Sequence, residues 1–262
     1  LVAKLGADQF RATANVIAAF FVDVWRDGPA AARTTMAENL EIGQRTGDRP
    51  FACYAAAGEL VLARQCGTHL DDLLDRGARY RRMAEDLGED STATAIALVL
   101  QAHHNLRHPV DAPAGLHGPY AHETALAAPL SGQQNSLSLF VLAWSKVALA
   151  LHYNEPDSLG PWLTTLRRAA QSQLGTASQF ETQCLDVVAA AWLMRLGKTR
   201  VAGGRGAIRR RLRDLRRRFA RVPEPGPFEA WLAYAEAAVA RMEARPMAAL
   251  RSFDRAIAVA TH

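Results

Sequence analysis

Helix breakers recur along this chain at intervals of roughly 15 to 22 residues, and between them the apolar residues follow a helical period. The interruptions fall at Asp27-Gly28-Pro29, Gly47-Asp48-Arg49-Pro50, Gly67, Gly88, His108-Pro109, Gly132, Asn154-Glu155-Pro156, Gly175, Gly203-Gly204, Pro223 to Pro227 and Pro246. Glycine accepts the left-handed backbone that ends a helix, and proline suits a helix start because its ring presets φ and it has no N–H to leave unpaired. Ala, Leu, Arg and Glu dominate the intervals, and the alternation of a half-buried strand is absent. The result is about a dozen helices with very short connections, which force neighbours to run antiparallel.

Paired spacing narrows the fold. Phe51 to Cys66 with Thr68 to Leu87 reads as one hairpin, Ser136 to Tyr153 with Pro156 to Leu174 as another, and Phe228 to Ala244 with Pro246 to Ala260 as a third. Helical hairpins repeating about every 34 to 45 residues point to tetratricopeptide, HEAT or armadillo arrays. In the last hairpin Ala249, Phe253 and Ala256 carry a small–aromatic–small spacing, faced by Ala237 and Ala240. The expected fold is therefore all-α, a tetratricopeptide-like α-solenoid of about six antiparallel helix pairs. Residues 1–262 form a single helical-repeat domain, with 1–107 and 120–262 as candidate halves joined by a Pro/Gly loop. The chain starts at Leu1 and stops at His262 within a helical pattern, so it is expected to be a fragment of a longer protein.

Composition excludes several classes. At 49% hydrophobic and 22% charged residues, the chain is not a disordered tail. Apolar runs such as Ala95 to Leu100 are far short of the roughly 20 residues that cross a bilayer. Cys53, Cys66 and Cys184 have no CxxC spacing, which fits a reducing, cytoplasmic setting. The net charge of +5 is local, because eleven Lys or Arg and one acid lie between Lys198 and Arg221, leaving the remainder at −5.

Two stretches carry a family resemblance. Within Glu38 to Gly88 they are Gly47-Asp48, Phe51-Ala52 and Gly67 with Leu70 and Leu73; near the end they are Ala235-Glu236 and Phe253-Asp254-Arg255-Ala256-Ile257. These resemble the tetratricopeptide-like region of large signalling ATPases, which join a serine/threonine-kinase-like domain, a STAND-type AAA ATPase, this helical region and often a histidine kinase. The sequence departs from that pattern in Ser131 to Gln134 and in its arginine-rich helix. The resemblance implies a sensor or relay segment without kinase or ATPase chemistry of its own.

Constellations that could carry chemistry are few. Asp71-Asp72-Leu73-Leu74-Asp75 spells DDxxD, which in a helical prenyl-chain enzyme would hold magnesium diphosphate; Asp71, Asp72 and Asp75 would then have to face a deep central cavity. No second such segment exists, and an acidic first turn of a helix is the plainer reading. Gly197-Lys198-Thr199 lacks the upstream glycine of a phosphate loop, since that position is Trp192. His104 and His108 have i, i+4 spacing within a group that includes His103, His117 and His122, but Pro109 follows and no Glu or Cys completes a ligand set. No catalytic residue, cofactor or metal is expected.

Binding is the better expectation. Ile208, Leu212, Leu215, Phe219 and Val222 form a core stripe, flanked by Arg210, Arg213, Arg217 and Arg221, with Arg209, Arg211, Arg216 and Arg218 around the rest. Such a face either pairs with acids of adjacent helices or meets an acidic protein partner. Nucleic acid is disfavoured because no aromatic residues interleave for base stacking. Phe51, Tyr54, Phe140, Trp144, Phe228, Trp231 and Tyr234 are set on the helices that would line an inner surface, and Tyr54 and Tyr234 are the candidate partner contacts. The candidate partner-binding set is thus Arg209, Arg210, Arg213, Arg217, Arg221, Tyr54 and Tyr234, in a protein–protein interaction and relay segment. A small-ligand sensor is the alternative, with the Pro109 to Pro119 loop closing a pocket between helix pairs.

Overall fold

The computed structural model describes residues 10–124, 126, 136–173, 176–198, 204–223 and 226–260. The expected breaks at Gly132, Gly175 and Gly203, and the departure at Ser131 to Gln134, lie outside the described residues. The chain is all-helical, and the sole β feature among the described residues is an isolated antiparallel bridge between His117 and His122. Helix α1 comprises Arg11–Ala18, a π segment Ala19–Asp23 and Val24–Arg26. It is followed by α2 (Gly28–Thr46), α3 (Arg49–Gln65), α4 (Leu70–Asp86), α5 (Asp90–Arg107), α6 (Ser136–His152) and α7 (Leu159–Ala169). The last four are α8 (Ala177–Arg195), α9 (Gly204–Phe219), α10 (Phe228–Met242) and α11 (Pro246–Ala260). None of the described helices is long and apolar enough to cross a membrane.

Local chemistry explains the boundaries. Helices α2, α3, α4 and α8 each end in a glycine with positive φ, at Gly47, Gly67, Gly88 and Gly197, and the next amide turns back to the carbonyl five residues earlier. Asp48 N–H reaches Gly43 O at 2.9 Å, and Glu89 N–H reaches Ala84 O at 2.8 Å. Asn154 and Ala244 make the same left-handed stop without glycine.

The first expected hairpin, Phe51 to Cys66 with Thr68 to Leu87, is shifted by one helix, whereas α6 with α7 and α10 with α11 pair as the sequence reading has them. The broadest contact of α3 is with α2, not α4, and α4 packs mainly on α5. Small residues decide this. A Cβ on Gly43 of α2 would lie 2.9 Å from Ala52 Cβ of α3, and one on Gly77 of α4 would lie 2.5 Å from Leu100 of α5. Close backbone approach is possible at those two seams only because a side chain is missing. Further along, α6 packs on α7, α8 on α10 and α10 on α11.

The long connection after α5 has a topological effect. Ser138 at the start of α6 donates to Ser91 O at the start of α5, at 3.2 Å, while Tyr153 Oη just past the end of α6 bonds Asn105 O near the end of α5, at 2.5 Å. Helices α5 and α6 therefore run parallel. One apolar core joins α3 through α7 and includes Ala114, Leu116 and Ala121 of the loop. A second joins Val16, Ala19, Met36 and Leu62 to Phe180, Cys184, Phe228 and Leu232, so the N-terminal helices pack against α8 and α10. Trp25 lies tilted against the Phe228 ring at 5.2 Å and edge-on to Phe180 at 6.3 Å. In an array where each unit meets only its sequence neighbours such contacts would not form; here large aromatic rings close the two ends of the chain on one another.

Candidate binding surfaces

Helix α9 sorts its arginines by partner. Ile208, Leu212 and Leu215 are buried as the core stripe requires. Beside that stripe Arg211 bonds Asp186 at 2.9 Å, Arg216 pairs with Glu236, Arg209 with Glu243, and Arg218 donates to Gln183. Arg167 of α7 meets the same Asp186 at 2.6 Å. Of the expected partner residues, Arg209 is therefore engaged within the chain, by a carboxylate on α10's end. Arg210, Arg213 and Arg221 are exposed with no carboxylate in ion-pair range among the described residues, and Arg217 has only Asp214 at 3.6 Å.

A second surface lies inside the helix layer. A cleft of about 710 Å³ is bounded by α1, α3, α5, α6 and α8. Its walls carry Phe20, Phe21, Phe51, Tyr54, Leu137 and Phe140, and among the described residues its hydroxyls come from Tyr54, Ser91, Ser136, Thr176 and Ser178. The π segment turns both Phe20 and Phe21 toward the cleft, and a Cβ on Gly58 would sit 2.6 Å from the Phe20 ring, so this glycine admits the ring. Ile17, Phe21 and Tyr54 are 49%, 47% and 40% exposed, leaving an apolar mouth open to water. Tyr54 packs edge-on to Phe51 at 5.6 Å.

Other aromatic residues have structural duties. Phe228 is fully buried, and Trp144 lies under the Arg64 guanidinium at 4.5 Å. Tyr234 sits against Phe253 beside a separate cavity of about 180 Å³, and burial pushes its hydroxyl above the ordinary tyrosine range. The structure does not bring Tyr54 and Tyr234 to one surface.

The aspartate cluster faces outward. Asp72 and Asp75 are exposed, and Asp71 pairs with Arg107 at 2.7 Å, a hydrogen bond that holds its carboxyl below the usual range. These carboxylates do not line a central cavity, which overturns the diphosphate-enzyme alternative. Lys198 pairs with Asp157, and Thr199 lies outside the described residues.

Sequence reading missed three buried polar positions. Glu59 is 1% exposed and gathers Arg33 at 2.9 Å, Arg76 at 2.5 Å and Tyr80 at 3.1 Å, while burial, then Glu59, pushes the Tyr80 hydroxyl up to about 12. Glu181 on α8 accepts from Arg64 at 2.5 Å and Gln65 at 2.9 Å, tying α3 to α8. His103 is 1% exposed with neither ring nitrogen hydrogen-bonded; burial, with Arg64 nearby, pushes it down to about 3. The available signal was a lone polar residue within an otherwise apolar helical stretch, as at Glu59 between Ala55 and Ala63.

Comparison with known proteins returns nothing. No family model, no curated protein and no solved structure matches this chain. Its function is therefore argued from the cleft and from α9.

Proposed function

We propose that the chain is a non-catalytic, all-helical interaction and relay segment of a multidomain signalling ATPase or kinase, and that apolar side chains of a protein partner enter the cleft between α1 and α3. The observation that carries this reading is the cleft itself, which presents Phe20, Phe21, Phe51, Tyr54 and Phe140 around an open apolar mouth. Exposed clusters of large apolar residues cost free energy in water and mark surfaces that are covered on binding. The exposed stripe of Arg210, Arg213, Arg217 and Arg221, in which Asp214 beside Arg217 is the one acid in ion-pair range among the described residues, favours acidic character in the partner, because opposite charge speeds encounter and like charge repels. The place within a signalling ATPase rests on the family resemblance alone. A small-ligand sensor is the second reading, favoured by a volume of about 710 Å³, within the roughly 300–1,000 Å³ of small-molecule pockets.

A photo-crosslinking residue in place of Tyr54 tests the proposal in cells that make the chain. A crosslinked species of protein mass, reduced about tenfold by Phe21→Glu, supports it. An adduct of small-molecule mass replaces it with the sensor reading, and a crosslink to nothing under any growth condition overturns both.

A further inference from the structure

The loop from 108 to 122 brings together two histidines that the helical spacing of His104 and His108 did not single out. Gly118 N–H donates to Ala121 O at 3.1 Å and Glu123 N–H to Leu116 O at 2.9 Å, which makes 116–123 a tight antiparallel hairpin. His117 and His122 stand opposite each other between those two hydrogen bonds. In such a non-hydrogen-bonded pair the two side chains leave the same face at close range. Their Nδ1 atoms are 3.4 Å apart.

We propose that His117 and His122 form a binding site for a borderline divalent transition metal, with Nδ1 of each imidazole as ligand and water in the remaining positions. Two nitrogens each about 2.0–2.1 Å from a tetrahedral Zn²⁺ are separated by about 3.3–3.4 Å. The observed spacing matches that edge and is longer than the roughly 2.9–3.0 Å most common for a hydrogen bond donated by N–H. The outer edge of His117 supplies the second argument. Its Nε2 lies 3.6 Å from Glu123 Oε1, and a carboxylate there favours the tautomer with hydrogen on Nε2 and the lone pair on Nδ1. That is the carboxylate–histidine arrangement which orients metal ligands. Glu123 is itself fixed by Lys146 at 2.8 Å and by Leu116 N–H at 3.0 Å.

The hairpin is held rigid before any ion arrives. Gln101 of α5 is fully buried, and its Oε1 accepts from Tyr120 N–H at 3.0 Å and Ala121 N–H at 3.3 Å across the turn. A Cβ on Gly118 would lie 2.5 Å from Gln101 Nε2, so glycine lets the turn rest on that side chain. Both imidazoles are exposed, which leaves access for the ion and its waters. Among the described residues no third His, Cys, Asp or Glu completes the set, so the affinity is lower than that of a closed structural site. His104 and His108 pack ring on ring at 4.5 Å and are not part of it.

Isothermal titration of the full chain with Zn²⁺ tests the site. Saturable one-to-one binding is expected, weakened about tenfold or more by His117→Ala and by His122→Ala, and unchanged in the double variant His104→Ala/His108→Ala. Cu²⁺ should bind more tightly than Ni²⁺, as imidazole sites generally order them. Both single variants should keep the circular dichroism and melting temperature of the parent, since the side chains are exposed. Absence of saturable Zn²⁺ binding overturns the proposal, as does binding that survives both His117→Ala and His122→Ala. Neither result bears on the cleft.

Discussion

In α5 the polar side chains Gln101, His103 and Asn105 are all buried, and two of them hold the loop that follows: Asn105 donates to Pro113 O at 3.0 Å and to Gly115 O at 2.5 Å, and Gln101 receives the turn amides. In α9 the arginines stay at or near the surface, some answered by acids of neighbouring helices and some, among the described residues, by none. A buried polar group without its partner loses its hydration and gains nothing in return, whereas an exposed one exchanges a weak ion pair for water. Polar residues in α5 are therefore structural and those in α9 are replaceable.

The largest effect is expected where that contrast is sharpest. Gln101→Ala leaves the Tyr120 and Ala121 amides without their acceptor and should cost about 2–4 kcal/mol in urea unfolding. A cost below about 1 kcal/mol would show that the loop finds water instead. The next concerns His103, which stays neutral in the fold down to about pH 3, against an ordinary value of 6.5 in the unfolded chain. Between those values the unfolded state binds the extra proton, so the stability present above pH 6.5 is lost as pH falls toward 3. Lowering pH from about 6.5 to 5 should remove about 1.5 kcal/mol through this residue, and His103→Leu should flatten that part of the profile. The smallest effect separates the two sides of α9. Arg211→Ala, which loses Asp186, should cost about 0.5–1 kcal/mol, and Arg213→Ala should change stability by less than about 0.5 kcal/mol. Equal losses would show that the outward stripe has partners in the fold.

Much of the secondary structure was legible because it is written locally. Gly47, Gly67 and Gly88 mark three helix ends through a backbone conformation that few other residues adopt at low cost. The core stripe of α9 was readable for the same reason, since Ile208, Leu212 and Leu215 repeat at helical spacing. Long-range choices were not legible. The pairing of α2 with α3 depends on Gly43 meeting Ala52, and nothing local distinguishes that seam from a contact with α4. Nothing local in the sequence marks Trp25 as the residue whose contacts with Phe180 and Phe228 join α1 to α8 and α10. At the candidate surfaces Tyr54 was found by its position on a helix facing inward, but Phe20 and Phe21 were not, because a π segment shifts them off the regular helical phase. His117 and His122 were visible in the histidine group but not as a pair, because a hairpin, not a helix, sets their distance.

The parallel course of α5 and α6 has an electrical consequence. Ser91 and Ser136 in the first turns of α5 and α6 and Thr176 at the N-cap of α8 all line the cleft, so the positive dipole ends of three helices lie at its wall. An occupant that carries negative charge would be favoured with that charge beside Ser91, Ser136 and Thr176.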